Sequence, residues 1–126
     1  MSSTQVDYLT VPDLLEIAAA ILPAVETRDP GLLASAAARP RTTLGGSDAY
    51  PTLAEKAAAL LHSIARNHAL VDGNERLAWG AARVFCLLNG ADITLGVDEA
   101  EALVVGAADG SLDVAAIAAR LGHLDA

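Results

Sequence analysis

The chain has 126 residues, of which 53% are hydrophobic and only 3% aromatic, which argues against a disordered chain and leaves room for one aliphatic core. Its 28 alanines and 19 leucines, with few β-branched residues, argue against a β-sandwich or barrel and for an all-α domain. Sixteen acidic residues against eight basic ones give a net charge of −8, which removes any electrostatic basis for non-specific nucleic-acid binding.

Seven of the eight cations are arginines, and Lys56 is the single lysine. Cys86, the one cysteine, lies in an apolar run, so the sequence predicts a reduced core thiol and a reducing, cytoplasmic setting. No basic-then-apolar leader pattern occurs near Met1, and the longest apolar run, from Leu77, is broken at Arg83 before it reaches bilayer length. The expectation is a single soluble domain over residues 1–126, without a membrane or direct nucleic-acid partner.

Thr10 before Val11-Pro12-Asp13 predicts a helix start, with the helix reaching about Val25 unless Pro23 ends it. Asp29-Pro30-Gly31 is a turn that also caps a short helix from Leu32 to Ala38, and Arg39-Pro40 closes it. Residues 41–51 read as a polar, glycine-containing loop. Thr52 with Glu55 three positions later has the capping-box spacing for a helix from Leu53 to about Ala69. After Asp72-Gly73-Asn74, a helix from Glu75 to Leu88 is almost wholly apolar beyond Leu77, which predicts the central buried helix, and Asn89-Gly90 ends it. Two further helices are predicted near 98–107 and 113–121, separated at Asp109-Gly110.

The chemistry concentrates in His68-Ala69-Leu70-Val71-Asp72-Gly73-Asn74-Glu75-Arg76. A histidine ends one helix, a carboxylate follows at i+4, and Gly-Asn opens the next helix, whose first amides lack intrahelical partners. Such an N-terminus attracts anions, and Gly73 allows a ligand close to the backbone. Arg76 offers a fork for phosphate oxygens, and Asp72 a ligand for a phosphate-bridging Mg²⁺. The imidazole of His68 offers a general base for a hydroxyl proton. The same residues also compose an ordinary interhelical turn, with Gly73 and Asn74 as caps and His68 paired to Asp72. Residue types alone leave both readings open.

The segment resembles the signature of the Fic/Doc family, written H-P-F-x-x-G-N-G-R in its Fic branch and H-x-F-x-D-x-N-K-R in its Doc (death on curing) branch. The resemblance extends in order over most of residues 8–105, through Tyr8-Leu9-Thr10, Arg28 to Leu33, Arg39-Pro40, Gly45-Gly46 to Tyr50-Pro51, Ala54 to Ala58, and Leu87 to Gly90. It implies a compact Fic-fold bundle of about six helices around a central helix pair that bears the motif. It further implies His68 as general base, Asp72 as Mg²⁺ ligand, Gly73 and Asn74 as anion hole, and Arg76 as the phosphate contact. In the same way, Asn74 falls among the catalytic positions and Glu75 among the nucleotide-binding ones, while loop 41–51 is the counterpart of the region that docks the target. Fic members transfer AMP, whereas Doc members use ATP–Mg²⁺ to phosphorylate elongation factor Tu and halt translation. Trp79 stands where AMP-transferring members usually carry a second arginine, which favours the Doc branch. A Phd-like antitoxin is the partner this implies.

Three positions depart from the Doc pattern: Ala69, Leu70 and Glu75. The first two are mild. Glu75 places a carboxylate where the family carries Lys or Gly, so a nucleotide is repelled instead of attracted, at a cost of a few kcal/mol (about 10²-fold) at intermediate dielectric. A catalytically impaired module that sequesters a partner, and Fic-type AMP transfer, therefore remain alternatives to the kinase-type toxin. Among the remaining polar residues, His62 is expected to be structural or solvated, His123 solvated, and Lys56 and Arg66 surface charges. Ile17, Ile21 and Leu22 exceed what one buried face needs and suggest an apolar groove for an antitoxin among the N-terminal helices.

Overall fold

Side chains that accept backbone amides set most of the helix starts. Thr10 and Asp13 cap each other reciprocally, with the Thr10 amide donating to Asp13 at 2.8 Å and the Asp13 amide to Thr10 at 3.2 Å. Thr52 and Glu55 form the same box, while Asp29 and Asp113 accept the amides of Gly31 and Ala116. The computed structural model describes residues 5–122, so His123 lies outside the described residues.

From these caps run α1 (Val11–Ile21), α2 (Pro30–Ala38), α3 (Leu53–Asn67), α4 (Asn74–Leu88), α5 (Val97–Asp109) and α6 (Val114–Leu121). The first helix stops at Ile21, four residues short of the expected Val25. Leu22 precedes Pro23 and takes the extended conformation that a pre-proline residue prefers. The second gains Pro30 at its first position, where a missing N–H costs nothing.

The central helix is α3, not α4 as the apolar run from Leu77 suggested. Residues 56–61 and 63–65 of α3 are buried, and α3 packs against α2, α4, α5 and α6. Alanines at 57, 58, 78, 81 and 82 are buried in α3 and α4, the most extensively paired helices of the described residues, and Phe85, stacked on Tyr8, and Cys86 are buried further along α4. Burial, with a smaller contribution from the Asp92 charge, pushes the Cys86 thiol up to about 12. The opposite side of α4 is open, with Leu87 and Leu88 about half exposed. At Gly80 an added Cβ would lie 3.0 Å from the Ile21 Cδ1 atom, so α1 crosses α4 at that glycine. Among the described residues no helix is long and apolar enough to cross a membrane.

The expected loop at 41–51 contains structure of its own. A 3-10 turn (Arg39–Arg41) leads into a small hairpin of β1 (Thr43–Leu44) and β2 (Ser47–Asp48), paired Thr43 to Asp48 and Leu44 to Ser47. Gly45 and Gly46 make its two-residue turn, both at positive φ. Lys56, expected at the surface, is instead 1% exposed beneath this hairpin. Its ammonium bonds Asp48 at 2.9 Å and also donates to the Tyr50 carbonyl. Beside it, Arg39 donates to the Tyr50 hydroxyl (3.0 Å), His62 Nδ1 (2.8 Å) and Ser63 (3.0 Å). His62 is thereby a structural acceptor. The hairpin projects into solvent, but both of its ends are anchored.

Candidate functional site between α3 and α4

α3 ends on His68, which adopts the left-handed conformation with φ 52° and ψ 50° and is the one non-glycine residue at positive φ among the described residues. Left-handed backbone disfavours side-chain-bearing residues by about 1–2 kcal/mol, so the surroundings must offset that cost. The carbonyl of His68 accepts from the Arg28 guanidinium. The Ala69 carbonyl accepts the amides of Arg28 and Asp29 at 2.8 and 3.0 Å, and the Val71 amide donates to Glu26 at 2.9 Å. Thr27 and Leu70 complete this short antiparallel bridge. The connection preceding α2 thus braces the connection preceding α4.

Leu70 is also held from the other side. Its N–H donates to the Asn74 carbonyl oxygen and its C=O accepts from the Asn74 amide nitrogen, each at 2.9 Å. Asn74 is buried, so its carboxamide serves the backbone and only its main chain faces outward. Gly73 caps the start of α4 at φ 86°, where a side chain is strained, and an added Cβ would lie 2.6 Å from Leu22 Cδ1 and push that side chain aside. Asp72 takes the Gly73 N–H at 2.9 Å with one carboxylate oxygen.

Unlike α1, α2, α3 and α6, α4 has no side-chain cap. Its first-turn amides open onto a cavity of about 430 Å³ lined by His68, Val71, Asp72, Gly73, Asn74, Glu75 and Arg76. All six residues singled out from the sequence therefore meet at one pocket, joined by Val71. A smaller cavity of about 150 Å³, reaching Pro23 and Glu26, shares Asp72, Gly73 and Arg76 with it. His68, Asp72, Glu75 and Arg76 are exposed, and among the described residues none of them forms an ion pair. Hence the turn reading that pairs His68 with Asp72 does not describe this structure.

Among the described residues no three His, Cys, Asp or Glu side chains cluster to hold a metal by themselves. Asp72 retains one carboxylate oxygen for a hard cation that takes its other ligands from phosphate and water, the usual Mg²⁺ arrangement. The uncapped helix start and Arg76 fit the phosphates of such a complex, and Glu75 at the rim opposes them.

Arg76 and Glu75 also stand at one end of a larger, mostly apolar groove of about 740 Å³ between α1, α4 and α5, walled by Ile21, Trp79, Val84, Leu87, Val97 and Val104. This corrects the groove expected among the N-terminal helices. Of the three residues expected there, Ile21 lines the groove, Ile17 packs partly buried near Gly80, and Leu22 turns inward against Gly73. Arg28 was missed as a site residue, because the role of a side chain 40 positions upstream depends on tertiary pairing, although the Arg-Asp-Pro-Gly turn around it was visible.

Over 99 residues, 77% of this chain and 76% of the relative, the sequence is 52% identical to "Toxin Doc" of Mycolicibacterium smegmatis (strain ATCC 700084 / mc(2)155). The matching family model, Fic/DOC, spans residues 8–86, from the segment before α1 through the motif to Cys86 in α4. With the motif residues gathered at the α3–α4 junction and that match running through them, the chain belongs to the Fic/DOC family.

Proposed function

We propose that the protein is a Doc-type toxin that transfers the γ-phosphoryl group of ATP–Mg²⁺ to a Ser or Thr hydroxyl of a translation factor, with elongation factor Tu as the family's target. The observation that carries this reading is the meeting of His68, Asp72 and Arg76 with an uncapped helix start at one solvent-open cavity. In this reading Arg76 and the α4 amides bind and orient the phosphates, and the outward oxygen of Asp72 holds the Mg²⁺, which neutralises developing charge. His68 accepts the target hydroxyl's proton, the hydroxyl oxygen bonds to the γ-phosphorus, and the bond to the β,γ-bridging oxygen breaks, leaving ADP. The exposed hairpin, anchored by Lys56 and Arg39, presents the target segment. A Phd-like antitoxin covers the α1–α4–α5 groove, whose end at Glu75 and Arg76 adjoins the phosphate site. These steps take place in the cytoplasm.

Glu75 favours a second reading, in which the carboxylate has disabled nucleotide use and the fold sequesters a partner. One experiment separates the readings: purified protein is incubated with elongation factor Tu and ATP labelled at either the γ- or the α-phosphate. Transfer of γ-label that disappears in His68→Ala supports the kinase-type reading. Transfer of α-label means AMP transfer, and no transfer of either label supports the sequestering module.

A further inference from the structure

We infer that Arg28 is the positioning residue for His68, locking the left-handed backbone that turns the imidazole toward the Asp72–Arg76 wall. The inference rests on the phosphoryl-transfer reading for its kinetic consequence, though not for its structural one.

Positions at positive φ elsewhere in the described chain are filled by glycine, at Gly45, Gly46, Gly73, Gly90, Gly110 and Gly122. α5 gives the direct comparison, since it ends on Gly110 at φ 85° and ψ 4°, and the Arg66 guanidinium donates to the nearby Ala108 carbonyl at 3.1 Å. At the end of α3 the corresponding cap is a histidine, whose side chain makes the left-handed form costly. Backbone geometry alone therefore selects against His68, and its exposed imidazole forms no hydrogen bond among the described residues that would offset the cost.

The offset comes from the connection before α2. Arg28 makes two contacts on consecutive carbonyls, with its guanidinium on His68 and its amide on Ala69, and the Asp29 amide shares the Ala69 oxygen. The guanidinium also stands at the C-terminal end of α3, where the helix dipole favours a cation. Asp29 is fixed as the N-cap of α2, so the clamp is mounted on a rigid element. Without the guanidinium, the His68 carbonyl is free to rotate, φ relaxes to negative values, and Cβ with its imidazole swings away from the cavity. Ala69 and Val71 stay in place, because their partners are main-chain groups of residues 26–29.

The test uses the ¹⁵N-labelled full chain. A residue at positive φ gives a strong intraresidue cross-peak between its amide and α protons. The wild type is expected to show this signature at His68. Arg28→Ala, folded by circular dichroism, is expected to lose it, and Arg28→Lys, which keeps a cationic donor, to retain it. Phosphoryl transfer should fall at least 10-fold in kcat in Arg28→Ala, with KM for ATP within twofold of wild type and partial recovery in Arg28→Lys. Should Arg28→Ala fail to fold, Arg28→Gln, which removes the charge and shortens the reach, carries the same expectation. A persisting His68 signature in the folded neutral variant overturns the inference, as does a loss expressed in KM for ATP and not in kcat. If the wild type transfers no label, the functional reading fails, while the cross-peak still decides the role of Arg28.

Discussion

The carboxamide of Asn74 spans the backbone of Leu70, accepting from its N–H and donating to its C=O, both at 2.9 Å. A residue matched by its family motif to an anion hole thus spends its side chain on shaping the loop that carries Asp72. Asn74→Ala leaves a buried Leu70 N–H and C=O unsatisfied and should cost about 2–4 kcal/mol, read as a lower urea midpoint. Asn74→Asp keeps the acceptor but brings a charge into a buried position, so it should recover little of that loss. A stability loss below ~0.5 kcal/mol for Asn74→Ala would show that the pairing contributes nothing.

Lys56 is 1% exposed while Asp48, its partner at 2.9 Å, is half exposed. The two ends of this pair therefore differ. Asp48→Ala strands a buried ammonium with only the Tyr50 carbonyl and should destabilise by about 1–3 kcal/mol. Adding Lys56→Met in that background removes the stranded charge and should restore part of the loss. Urea denaturation of the two single variants and the double variant closes the cycle, and strict additivity would contradict it.

Burial lowers the pKa of His62 from 6.5, and the Arg39 and Arg66 charges lower it further, against a small opposing effect of Asp113. Because the folded value lies below the unfolded one, the unfolded chain binds more protons in the window between them. His62 therefore contributes full stability above pH 6.5, and that contribution falls as pH drops from there through the lower folded value. Between pH 8 and 5, wild type should lose more stability than His62→Gln, measured by urea midpoints at each pH. Parallel profiles would contradict this sign.

Glu75 stands in the first turn of α4 and lines the cavity at the α3–α4 junction. Glu75→Lys exchanges repulsion for attraction at an exposed site and should lower KM for ATP about 10-fold at low salt, with the gain shrinking as ionic strength rises. Initial rates over a range of ATP concentrations at two salt concentrations measure both effects. An unchanged KM would place the carboxylate outside the field of the phosphates.

Val97 is 82% exposed and Ile21 42% exposed along the α1–α4–α5 groove. Ile21→Asp combined with Val97→Asp should weaken antitoxin binding by about 10²-fold or more, because an apolar occupant would then bury two carboxylates. Calorimetric titration gives the binding loss, and the urea midpoint should stay within ~0.5 kcal/mol of wild type. Undiminished binding would move the antitoxin to another face.

Local signals carried most of the fold. Thr10, Asp29 and Thr52 announced their helices because a cap is a contact over two or three positions, readable without tertiary knowledge. The motif from His68 to Arg76 was equally legible, since one continuous segment supplies every wall of the cavity. What escaped was non-local. Lys56 looked like a surface charge because its acceptors sit on a hairpin, and that hairpin was read as a loop even though Gly45-Gly46 between Thr-Leu and Ser-Asp is a two-residue turn signal. The apolar character of α4 suggested the centre of the domain, but Trp79, Val84 and Leu87 face the groove, and composition does not distinguish a core face from an uncovered one.

Cys86 is buried in α4 with its thiol pushed up to about 12, so at neutral pH it presents almost no thiolate to an alkylating reagent. The native chain is in effect blank to maleimide dyes without any cysteine replacement. A single new cysteine at Leu44, 71% exposed beside the hairpin turn, would accept a fluorophore at one place, and its emission would report any protein that comes to rest against the hairpin.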